Sequence, residues 1–144
     1  MKDNLAVLTA NELMVEGEKL LGNYNIEIAR FRNDRWTSTV PPLFAIVTNQ
    51  RLILQPHARK RHEPAIIPGK YIAKVIDMDV EQRHIVNLTI KTGHQINMFI
   101  AGPQSEELAG HLRTLARRRG PTKIESPLDL EAIQKMIAFF DNWK

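Results

Sequence analysis

The side chains in this chain best equipped for chemistry are basic, and they fall in two stretches. Arg30, Arg32 and Arg35 form one, and Arg59, Lys60, Arg61 and His62 form the other. A guanidinium is a planar fork that can hold a phosphate or carboxylate through two hydrogen bonds, so five arginines and a lysine brought together would make an anion-binding surface. Trp36 follows the first stretch directly, and an indole beside such charges suits a membrane interface. The competing reading is that these are solvated loop charges. The formal net charge of +4 is unevenly spread: residues 22–64 carry seven basic and three acidic side chains, whereas 1–21 and 124–144 each sum to −2. The positive potential therefore belongs to particular places on the molecule.

Other chemistries find less support. His57, His62, His84, His94 and His111 show no HExxH spacing, which points to loop or surface positions and away from a metal site. The chain has no cysteine, which excludes a disulfide framework, a thiolate zinc site and a cysteine nucleophile, and fits a reducing cytosolic compartment. Asp77, Asp79 and Glu81 alternate like one face of a strand but lack the glycine and distal glutamate of a calcium loop, so a solvent-facing strand edge explains them. There is no GxSxG elbow, Walker lysine loop or GxGxxG. An enzyme is the least supported class, and no cofactor or metal is expected.

The elements that must position the basic residues are mostly short strands. Leu43–Val47 and Leu52–Leu54 are aliphatic runs hinged at Thr48-Asn49-Gln50-Arg51. They are too short for helices and read as a hairpin, with Asn49 supplying the left-handed turn residue. Arg51, opening the second of these strands, is expected to bond nearby carbonyls or a carboxylate such as Asp34. Tyr24, Ile26 and Ile28 alternate with polar residues, marking a half-buried first strand over 23–30. Residues 32–42 read as a loop opened by Asn33-Asp34 and closed by Pro41-Pro42. Residues 57–64 form a basic loop, 65–67 a short strand and 72–80 another extended segment. Val86, Leu88 and Ile90, then Ile96, Met98 and Ile100, give a second hairpin across Thr92-Gly93-His94. Beyond Gly102-Pro103 the period changes to helical: Ser105 is expected to cap a helix whose buried stripe is Leu108, Leu112 and Leu115.

Seven strands and then a helix, with hairpins at strands two/three and six/seven, resembles the pleckstrin-homology-like fold. The residues are similar to its GRAM branch: Glu16-Gly17-Glu18 before the first strand, Phe44–Leu54 with its Thr-Asn-Gln-Arg turn, Ile66-Ile67-Pro68 leading to Ile72 and Val75, the final hairpin, and the helix over 106–115. The resemblance covers roughly 16–118. It implies a mainly β fold with α: a seven-stranded bent barrel capped by one helix, which buries its leucine stripe at the open end. It also implies that Arg30, Arg32 and Arg35 approach the 59–62 stretch at the end where many members hold anionic headgroups, with Lys91 and His94 nearby. Phosphoinositide-binding members usually carry basic residues on the second strand, and Leu43–Val47 has none, so general attraction to anionic surfaces is expected in place of recognition of one headgroup.

The resulting organisation is a lead-in segment over 1–15, the PH/GRAM-like unit over 16–119, and a linker with an additional amphipathic helix over 120–144. Ser126 and Pro127 start that last helix, whose apolar residues from Leu128 to Trp143 cover an arc of about 200°. Its polar face, with Glu131, Gln134, Lys135, Asp141 and Asn142, is not basic enough for an in-plane membrane helix. Met136, Ile137, Phe140 and Trp143 are therefore expected to pack on the chain's own barrel or on a partner, such as a second copy in a homodimer. The N-terminus resembles neither a signal peptide nor a transmembrane segment, and a cytoplasmic protein, peripheral to a membrane at most, is expected. The leading functional expectation is binding of an anionic lipid surface or acidic protein partner through the basic loops. A protein-interaction or oligomerisation module without a lipid ligand is the alternative. A nucleic-acid binder is a weaker third, because no aromatic platform or recognition helix accompanies Arg117-Arg118-Arg119.

Overall fold

The structure, a computed structural model, describes residues 17–38, 42–56, 65–80 and 82–117. The eight strands are β1 (Leu20–Arg32), β2 (Arg35–Ser38), β3 (Leu43–Thr48), β4 (Arg51–Pro56), β5 (Ala65–Pro68), β6 (Ile72–Val80), β7 (Arg83–Ile90) and β8 (Gln95–Ile100), followed by one helix, α1 (Gly102–Arg117). All pairings are antiparallel, in the order β5-β4-β3-β1-β8-β7-β6, with β2 added beside β1. This is mainly β with one helix, in the expected order. The sheet does not close: β5 and β6 are the ends of the hydrogen-bonded path. They are joined by a 3-10 turn, Gly69–Tyr71, so the chain curls the two edges toward each other without pairing them. The linker and additional helix expected over 120–144 lie outside the described residues.

One side of the sheet wraps the helix. Tyr24, Ile26 and Ile28 meet Leu43, Ala45 and Val47, the alternate residues of β4 to β8, and Leu108, Ala109, Leu112 and Leu115 of α1 in one apolar cluster. The leucine stripe is thus the buried face that its spacing predicts. Gly69 lies so close to the end of this helix that a Cβ there would come within 2.9 Å of the Leu115 carbonyl oxygen. Tyr24 closes the cluster's edge by donating its hydroxyl to Glu107 Oε1 at 2.7 Å. Burial, then that hydrogen bond, then the carboxylate's charge push the phenol well above the ordinary tyrosine value.

Three expectations change. The segment over 35–38 is a strand, because Asn33 and Asp34 both adopt left-handed backbone, with φ of 53° and 60°, and fold β2 back on β1 as a two-residue hairpin. Asn49 is not left-handed; it acts by bonding, its N–H donating to the Lys19 carbonyl and its Oδ1 accepting from the Lys19 N–H, both at 2.9 Å. Ser105 does not cap the helix, which begins three residues earlier; its buried hydroxyl donates to the Gly102 carbonyl at 3.0 Å. Pro103 is tolerated in this first turn, where no intrahelical N–H is required.

Arg51 also finds another partner. Asp34 sits at the hairpin tip at the far end of β1, and the carboxylate that takes the guanidinium is Glu18, with Nε to Oε2 at 2.9 Å and Nη2 to Oε1 at 3.1 Å. Thr48 donates its hydroxyl to the same Oε2 at 2.5 Å and accepts the Gln50 and Arg51 N–H groups at 3.1 Å. Glu18 and the Thr48-Asn49-Gln50-Arg51 stretch are thus two halves of one clasp that ties the start of β1 to the β3–β4 turn.

Candidate functional site

The most exposed large apolar side chain among the described residues is Phe31, at 57%. It lies in the β1–β2 hairpin directly opposite Trp36, with ring centroids 5.4 Å apart and planes tilted by 52°. A strand alternates its side chains between two faces. Ala29, Phe31 and Trp36 therefore share one face of the hairpin, and Arg30 and Arg35 take the other. Arg32 pairs with Arg35 across the Asn33-Asp34 turn. Trp36 is half-buried because it packs on Ala29, Ile85 and Phe99, with Met78 and Val80 beside them. The aromatic pair thus has a fixed base, Trp36, and a free tip, Phe31.

The hairpin reaches this position because β1 outlasts its first neighbour. β1 pairs with β3 as far as Ile26, opposite Leu43, and then with β8 through Glu27 and Ile28. It continues six residues beyond Ile26, about 20 Å at roughly 3.3 Å per residue. Leu43 also faces Pro56, the last residue of β4. The 57–64 connection therefore starts at the same end of the sheet, short of the hairpin tip. Arg59, Lys60, Arg61 and His62, and likewise Met136, Ile137, Phe140 and Trp143, lie outside the described residues. Of the basic residues expected to converge, the structure brings together Arg30, Arg32 and Arg35. The sequence reading passed over Phe31; the signal was its parity with Ala29, which sets it on the face opposite the arginines.

Where β1 changes partner, a cleft of about 790 Å³ opens, with Phe44 and Phe99 in its lining. On one wall Arg83 pairs with Glu27 at 3.0 Å and lies 3.6 Å above the Phe99 ring. His84 next to it meets Asp79 at 2.5 Å. Arg83 and Glu27 already neutralise each other beside the Phe99 ring, which suits an apolar side chain better than an anion. Among the described residues, no three His, Cys, Asp or Glu side chains are gathered as a metal site would need. Likewise, no helix among them is long and apolar enough to cross a membrane.

No family model matches the chain, and no curated protein matches it. Solved structures do. Two crystal structures of p115-RhoGEF, the DH/PH domains of the R399E mutant and the N-terminally truncated linker-DH/PH domains, align with 76% of this chain, each at a TM-score of 0.47. Their identities are 14% and 11%, and the chain spans about a third of each, 34% and 32%. The C-terminal domain of an unknown protein from Leishmania infantum aligns over its whole length with 82% of this chain, at 14% identity and a TM-score of 0.54. With that domain the chain shares its fold: an open antiparallel sheet bent around a single helix.

Proposed function

We propose that this chain is a non-catalytic binding module of pleckstrin-homology/GRAM-like type. It docks peripherally on an anionic membrane surface, and the β1–β2 hairpin enters the headgroup layer. The observation that carries this reading is Phe31, held out at 57% exposure against Trp36 between arginine positions. An apolar ring gains by leaving water, an indole suits the interface, and guanidinium groups close behind can pair with lipid phosphates. Arg30, Arg32 and Arg35 supply the charge from the hairpin, and Arg59, Lys60, Arg61 and His62 add to it from the neighbouring connection. Without basic residues on β3, the attraction is to negative charge in general. A second reading, a protein partner that seats an apolar side chain in place of lipid, is favoured by the Phe44–Phe99 cleft alone.

Co-sedimentation with vesicles of phosphatidylcholine, alone or mixed with phosphatidylserine, tests the proposal. Binding is expected only to the mixed vesicles at low salt, weakening as salt rises because the surface potential is screened within a Debye length. Indifference to phosphatidylserine at low salt would turn the assignment to a protein partner.

A further inference from the structure

The half-sheet β3-β4-β5 is apolar on both faces. Leu43, Ala45, Val47, Leu52, Leu54, Ala65 and Ile67 face the helix. The alternate residues Phe44, Ile46 and Ile53, with Ile66 against them, form a separate cluster on the opposite face. These outward side chains are as sequestered as the core, with Phe44 at 3% exposure and Ile46 and Ile53 at 0%. The helix α1 cannot cover them, because its buried residues belong to the other cluster. A face so completely removed from water has a cover, and none of the described elements supplies it.

We propose that residues 126–144 form an amphipathic helix that folds back on this outer face and covers Phe44, Ile46 and Ile53. Three observations select this segment. Its apolar arc of about 200° is wide enough to bury against a flat apolar sheet. Its start is close by: α1 ends beside Gly69, immediately after edge strand β5. The eight residues 118–125 reach about 26–29 Å when extended, several times the spacing of roughly 5 Å between neighbouring strands, so they can step around β5 to the outer face. The 57–64 connection, HARKRHEP, has one aliphatic side chain, Ala58, and cannot serve as the cover. Bound in this way, the last helix is part of the chain's own fold and is not free to recruit a partner.

The absence of cysteine gives a clean test, the reaction rate of a thiol reagent with Ile53→Cys in the full chain. Leu54→Cys, facing α1, reports whether the core stays closed. Ile53→Cys is expected to be protected, to stay protected on about a hundredfold dilution, and to react at least about tenfold faster once Ile137→Asp and Phe140→Asp are added, while Leu54→Cys stays slow. Should the aspartates also open Leu54→Cys, the milder Ile137→Ala and Phe140→Ala pair is read by the same criteria. Protection insensitive to the changes at 137 and 140 would overturn the proposal. So would protection that responds only to Leu8→Asp and Val15→Asp in the N-terminal segment, or protection lost on dilution, which would make a second copy the cover.

Discussion

Glu18→Ala should destabilise the fold by about 3–5 kcal/mol, as expected when one partner of a buried ion pair is removed. The Glu18 side chain is fully buried, and the Arg51 side chain is 7% exposed. Removing the carboxylate takes from an enclosed guanidinium its two bonds to Glu18 and from the Thr48 hydroxyl its shorter acceptor, leaving it the Arg51 carbonyl at 3.3 Å. Arg51→Ala should cost a similar amount by leaving the opposite charge behind. Glu18→Leu combined with Arg51→Leu should cost less than either single change, because neither variant residue orphans a charge. Urea unfolding midpoints would check all three, and a loss under about 1 kcal/mol for both singles would show that the clasp is not what secures the β3–β4 turn. The Arg83–Glu27 pair is the built-in contrast. Its side chains are 45% and 34% exposed, and breaking such a pair typically costs about 0–1 kcal/mol.

Phe31→Ser should weaken attachment to anionic vesicles by roughly ten- to a hundredfold. Burying such a ring is worth about 1.5–3 kcal/mol, and each factor of ten corresponds to 1.4 kcal/mol. Stability should hold within about 0.5 kcal/mol, since the ring is largely in water in the free protein. Phe31→Ser is a cleaner probe than a change at Trp36, whose ring also packs on Ala29, Ile85 and Phe99. Arg35→Ala should cost about 1 kcal/mol of binding at low salt. That loss should vanish as salt rises, whereas the Phe31 loss should persist. Equal salt dependence of the two losses would contradict the division of labour between the aromatic and arginine faces of the hairpin.

The parts of the fold legible in the sequence were those dictated by local periodicity. Alternation at Val86, Leu88 and Ile90 against Ile96, Met98 and Ile100 fixed the last hairpin, and the spacing of Leu108, Leu112 and Leu115 fixed the face of α1. What escaped depends on contacts between distant residues or on a weak turn signal. Arg51 finds Glu18, 33 positions away, and nothing local distinguishes that carboxylate from Asp34. β2 reads as loop from the sequence because Asn33-Asp34 opens the stretch and Pro41-Pro42 closes it, and Arg-Trp-Thr-Ser does not show the apolar alternation of a half-buried strand. The outer apolar cluster did leave a trace: Leu43 to Val47 is apolar without interruption, the mark of a strand covered on both sides. Of the candidate site, the arginines of the hairpin were legible as charge, but the exposure of Phe31 follows only from how far β1 runs past β3.

The measurement that bears most directly on the proposed function is the fluorescence of Trp36 in a Trp143→Phe chain, leaving one indole, titrated with phosphatidylserine vesicles whose acyl chains carry bromine near the headgroup. If the hairpin enters the interface, Trp36 emission should shift to the blue and be quenched, and Phe31→Ser should weaken both changes. An unshifted, unquenched Trp36 under conditions where the chain sediments with the same vesicles would mean that another surface meets the lipid, contradicting the assignment of the β1–β2 hairpin.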